Sequence, residues 1–87
     1  MRYNIPEIVL RSALKHGVNP NDALYVTEHP IMSLVMEEEP LKILHLGISP
    51  EGIPLEVVTI RTSRGDAVIH AMRMRTKYVR LPEGGGR

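Results

Sequence analysis

The chain has no cysteine, no phenylalanine and no tryptophan among its 87 residues. Without cysteine there is neither a disulfide framework nor a thiolate metal site, which fits a reducing cytoplasm. The aromatic side chains are Tyr3, Tyr25 and Tyr78 alone, too few for a nucleic-acid reader that stacks successive bases on aromatic platforms. No apolar run approaches the roughly 20 residues of a membrane helix, and the N-terminus lacks the apolar stretch of a signal peptide. His16, His29, His45 and His70 show no H-x-x-x-H or H-E-x-x-H spacing, so no metal is expected. Ser12, Ser33, Ser49 and Ser63 lie in no nucleophile-elbow context. Gly84-Gly85-Gly86 precedes no helix and is no phosphate loop, so no cofactor is expected either.

What is present is a soluble-type composition, 43% hydrophobic and 24% charged. The net charge of +1 hides an asymmetry. Through residue 60 there are four basic side chains against eight acidic ones, and from residue 61 seven against two. A cationic last third on an acidic body suits a polyanion or an acidic partner, and equally a solubilising charged edge.

The pattern predicts a helix over residues 4–16, capped by Asn4, with Ile5, Ile8, Val9, Ser12, Ala13 and His16 on one face and Gly17 as its stop. Asn19-Pro20-Asn21-Asp22 opens a second, shorter helix that Pro30 ends. Residues 31–37, 41–49, 53–62 and 67–75 read as strands joined by short turns. The expected fold is α+β, two N-terminal helices packed on a four-stranded antiparallel meander in the order α-α-β-β-β-β. It occupies one domain, residues 1–81, with 82–87 as a flexible tail.

On strand 67–75, alternation sets Val68, His70, Met72 and Met74 on one face and Ala67, Ile69, Ala71 and Arg73 on the other. The small-residue side is expected to lie under the helices, leaving His70 on the open face. An imidazole there titrates near neutrality and is able to move a proton, and Arg73 with Arg75 could hold a phosphate. A half-buried histidine satisfied by a cross-strand partner, beside solvated arginines, is the plainer reading. His16, at the end of the first helix, is the second candidate, since the helix dipole favours its charged form.

Lys15-His16-Gly17-Val18 and the stretch LGISPEGIPLEVVTIRTSRGDAVIHAM, residues 46–72, resemble the BrnT-like toxins of bacterial type II toxin–antitoxin systems, within the RelE/ParE superfamily. The likeness runs from about residue 11 to 80. Ile69-His70-Ala71-Met72, Arg75 and Lys77-Tyr78 are similar to one small subgroup. The resemblance implies a RelE-like fold and a cytoplasmic endoribonuclease that cuts mRNA, on the ribosome or free of it, and arrests growth. It also implies a neutralising DNA-binding antitoxin, and hence a toxin–antitoxin hetero-oligomer. Where the family has Ser-Ala-Arg, this chain has His-Ala-Met, so the basic function falls to neighbouring residues. Metal-free RNA cleavage through 2′-OH attack would then use His70, Arg73, Arg75 and His16, with Lys15, Arg61, Lys77 and Arg80 on the RNA. The competing expectation is a non-catalytic interaction module, a degenerate toxin that grips an acidic partner segment through the same basic end.

Overall fold

The computed structural model describes residues 8–79. The fold is mostly β. A five-stranded mixed sheet runs in the order β1-β5-β4-β3-β2, with β1 Ile8–Val9, β2 Met32–Glu38, β3 Leu41–Ile48, β4 Pro54–Thr62 and β5 Gly65–Arg73. One helix of nine residues, α1 (Pro20–Glu28), lies between β1 and β2, and one helical turn, α2 (Thr76–Val79), follows β5.

This overturns the expected two helices on four antiparallel strands. The predicted first helix is absent from residue 8 onward, and its residues 4–7 lie outside the described part. Ile8 and Val9 instead pair parallel to β5, opposite Ala67 and Val68. Only Arg11–Leu14 winds, as a single 3-10 turn that buries Ala13. The physical reason lies in the stripe itself. Ile8 and Val9 are β-branched, stiff at χ1, and suit a strand. Ser12 and His16 give the C-terminal half of the stripe little to bury. Gly17, at φ 85°, turns the chain after the 3-10 segment rather than ending an α-helix.

The later elements follow their local signals. Asn19 caps α1, its Oδ1 accepting from the Asn21 N–H at 2.7 Å, with Pro20 in the first turn. Strands β2 to β5 form three consecutive antiparallel pairs. α1 covers one face, where Ala23 and Val26 pack with Ala13, Leu55, Val57, Val68 and Ala71. Gly47 permits this approach, since a Cβ there would stand 3.1 Å from Cγ1 of Val26. On the far face Leu44, Leu46 and Val58 are covered by Met74 and Tyr78 as α2 folds back. That face is therefore not open, as alternation alone suggests.

A β-bulge breaks the alternation of β5. Val58 pairs with His70 and Thr59 with Val68, so Ile69 is the extra residue. Val68 and Ala71 both face α1, whereas Ile69 joins the far-face cluster. The predicted helix-covered set of Ala67, Ile69 and Ala71 is corrected accordingly, while His70 does lie opposite Val58 on the far side.

Among the described residues, no helix is long and apolar enough to cross a membrane.

Candidate active site at the β5 edge

β4 lies between β3 and β5, so its side chains are the most enclosed in the sheet. Leu55 and Val57 point toward α1, and Glu56 points to the far side, at 0% exposure. A carboxylate so placed needs partners, because an unpaired buried charge is costly. It has them. Oε2 accepts from the Arg75 backbone N–H at 2.9 Å, the Arg75 Nε lies 3.0 and 3.1 Å from the two carboxylate oxygens, and Nη2 donates to Oε1 at 2.8 Å. Nε2 of His70 is 3.0 Å from Oε1.

Burial pushes the Glu56 carboxyl up, but the Arg75 side-chain and backbone hydrogen bonds, the His70 bond and the Arg75 charge together hold it below the usual carboxylate range. The same hydrogen bond holds the Arg75 guanidinium above its ordinary value, against a smaller opposing effect of burial.

An ionised carboxylate only accepts hydrogen bonds. It therefore fixes the proton of His70 on Nε2, and in neutral imidazole the lone pair falls on Nδ1. The His70 side chain is 27% exposed, so solvent reaches it. His16 follows the 3-10 turn and lies against the edge of β5. Its ring meets that of His70 edge-on, with centroids 5.9 Å apart and an interplanar angle of 69°.

On the other side His16 lines a small open cleft of ≈ 180 Å³ together with Asp22, Ile53, Leu55 and Arg73. Pockets for whole small molecules start at about 300 Å³. This one has room for a single phosphate or sugar unit of a longer ligand. Arg73 sits at the end of β5 opposite Leu55, exposed and on the α1 side.

At this end of β5 His70 and Arg75 share Glu56 on the far face, Arg73 lies on the α1 face, and His16 at the strand edge meets His70 on one side and the Arg73 cleft on the other, with exposed Lys15 next to His16 in the chain. Lys77 follows on α2, its Nζ 5.0 Å from the centre of the Tyr78 ring, and the Arg75 guanidinium lies 5.4 Å from the same centre. Arg61 is not brought in. It bonds Asp66 beside the β4–β5 turn, six residues and roughly 20 Å along the strand from Leu55. Arg80 lies outside the described residues. Arg75 is not the solvated strand-end arginine that its position suggests, because one edge of its guanidinium is committed to Glu56.

Glu56 is the residue that sequence reasoning missed. Its one signal is that it is the sole charged residue in the stretch Leu55–Ile60. No group of three or more His, Asp or Glu side chains is placed to share a metal ion among the described residues.

A third histidine lies on the α1 side. His45 sits between Ser33 Oγ, 3.3 Å from Nδ1, and Thr59 Oγ1, 2.9 Å from Nε2. Burial lowers its pKa, and the charge of Asp66 offsets part of this. A folded-state value below the unfolded one of about 6.5 contributes stability above that pH, lost as pH falls through the folded value. Thermal melts between about pH 7.5 and 5.5, bracketing that reference value, should show a falling Tm. His45→Gln should flatten that slope, and an unchanged slope would remove His45 as its source.

Compared with protein-family models, with curated proteins and with solved structures, the chain matches none.

Proposed function

We propose that this chain is a cytoplasmic, metal-independent endoribonuclease of the BrnT-like toxin type, restrained by a DNA-binding antitoxin in a hetero-oligomer. The observation that carries the proposal is the pair of imidazoles at the β5 edge, one of them tautomerically fixed by a buried carboxylate, with Arg73 lining the cleft beside His16. The ordered motifs from Lys15 to Tyr78 support it independently of the fold.

In this reading Nδ1 of His70 takes the proton of a ribose 2′-OH. The 2′ oxygen attacks the adjacent phosphorus, the P–O5′ bond breaks, and protonated His16 gives its proton to the leaving 5′ oxygen. The products are a 2′,3′-cyclic phosphate and a 5′-hydroxyl. Arg73 faces the phosphate-sized cleft and stabilises the charge that grows on the equatorial oxygens. Arg75 contributes by holding Glu56 ionised. Rings this close reach one phosphodiester from two sides, which is the positioning that acid–base catalysis needs.

Purified chain incubated with single-stranded RNA in the presence of a chelator should yield fragments ending in cyclic phosphate. Inducing the chain in bacteria should arrest growth, and co-expressing the antitoxin should restore it. Folded protein that neither cleaves RNA nor slows growth would leave the second reading, a non-catalytic module. One observation favours that alternative. The Glu56–Arg75 bonds tie α2 to the sheet, which is what a structural clamp does.

A further inference from the structure

The cleavage step proposed above does not return the two imidazoles to their starting states. It leaves His70 holding the proton of the 2′-OH, and His16 without the proton it gave to the 5′ oxygen. Exchange with solvent would reset them, and so would one further reaction on the cyclic product. The inference drawn from this rests on the endoribonuclease reading.

The surroundings of each ring favour the further reaction. Nε2 of His70 stands 3.0 Å from Oε1 of Glu56, and the guanidinium and backbone N–H of Arg75 hold that carboxylate in place. An ionised carboxylate at this distance stabilises an imidazolium, so His70 retains its proton while the cyclic product is still bound. His16 is exposed at the strand edge and lines the open cleft. Water therefore has access to the position that the 5′ oxygen vacates. The cleft, ≈ 180 Å³ with Arg73 in its wall, has room for the phosphate. The reaction needs nothing of the RNA chain beyond that group, so its substrate need not be a polymer.

We propose that the same site hydrolyses nucleoside 2′,3′-cyclic phosphates to 3′-monophosphates. Neutral His16 takes a proton from the entering water, whose oxygen bonds to phosphorus. The P–O2′ bond breaks, and His70 gives its proton to the 2′ oxygen. Arg73 stabilises the charge on the remaining phosphate oxygens. The net change is the addition of one water, and both imidazoles regain the states in which cleavage began. Each ring is the acid of one step and the base of the other, as microscopic reversibility requires.

Uridine 2′,3′-cyclic phosphate incubated with the full chain and a chelator is expected to give uridine 3′-monophosphate, read by phosphorus NMR. In oxygen-18 water, one label should enter the phosphate. The 3′,5′-cyclic phosphate should stay intact, because it has no P–O2′ bond to break. His16→Gln and His70→Gln should each slow conversion at least about 10²-fold, with the parent circular dichroism spectrum. Arg73→Ala, at an exposed strand end, should slow it as well. Conversion at the parent rate in all three variants would overturn the proposal, since the activity would then lie elsewhere. RNA cut to cyclic ends, with those ends and the cyclic nucleotide stable over the same hours, would overturn it and leave the endoribonuclease standing. Failure to convert either substrate would overturn both.

Discussion

His70→Gln is expected to slow RNA cleavage by at least about 10²-fold, the contribution of one general acid or base, while leaving the fold intact. The expectation of intact folding comes from Glu56. The glutamine amide still donates to Oε1, so the buried carboxylate keeps its His70-side partner. What glutamine lacks is an imidazole nitrogen able to take up and release a proton. The pH–rate profile therefore separates the two readings of this residue. In the unaltered protein the rate should rise and then fall with pH, as it does when one imidazole must be neutral and another protonated. In His70→Gln one limb should vanish. A variant with a lowered melting temperature and an undiminished rate would make His70 a packing residue and move the chemistry elsewhere.

Arg75→Ala should lower the melting temperature, because it strips the guanidinium from the buried Glu56 carboxylate and leaves it the backbone N–H of residue 75 and His70 alone. The sign of the pH dependence should change with it. In the native protein the Glu56 pKa is lowered, so its stabilisation is present above the unfolded carboxylate value of about 4.3 and is lost as pH falls through the folded value. Without Arg75, desolvation dominates and raises the carboxyl, so acid should cease to weaken this contact and should begin to favour it. Arg73→Ala, at an exposed strand end, should stay within about 0.5 kcal/mol of the parent and weaken RNA binding. Equal melting temperatures for Arg75→Ala and Arg73→Ala would contradict the division of labour between the two arginines.

The legible parts of this fold are those whose signal is local. Asn19-Pro20-Asn21-Asp22 carries a cap, a first-turn proline and a first-turn acid within four residues, and α1 starts there. The turns around Glu39-Pro40, Glu51-Gly52 and Arg64-Gly65 separate β2 to β5 within a few residues of where the pattern puts them. Ile8–Val9 could not be read in this way. Two residues carry no period, and their partners Ala67 and Val68 lie 59 positions further on. The bulge at Ile69 is silent for a related reason: nothing in Val68-Ile69-His70 distinguishes a strict alternation from one with an extra residue. His70, His16 and Arg73 were recognisable from residue type and position. Glu56 was not, because a lone carboxylate in a strand reads as a solvated position until Arg75 is seen to return over it.

The parallel pairing of β1 has a kinetic meaning. Residues that meet across so long a loop pay a large closure entropy for two bridged positions, whereas the hairpins of β2 to β5 close turns of a few residues. The meander should therefore consolidate first, and the segment from Ile8 to His16 should dock late and undock early, with the lowest amide-exchange protection of the sheet. His70 belongs to the durable part of the molecule and His16 to the transient part. The two imidazoles come together only in the fully docked state, so the population of that state sets a ceiling on how often the pair is ready to act.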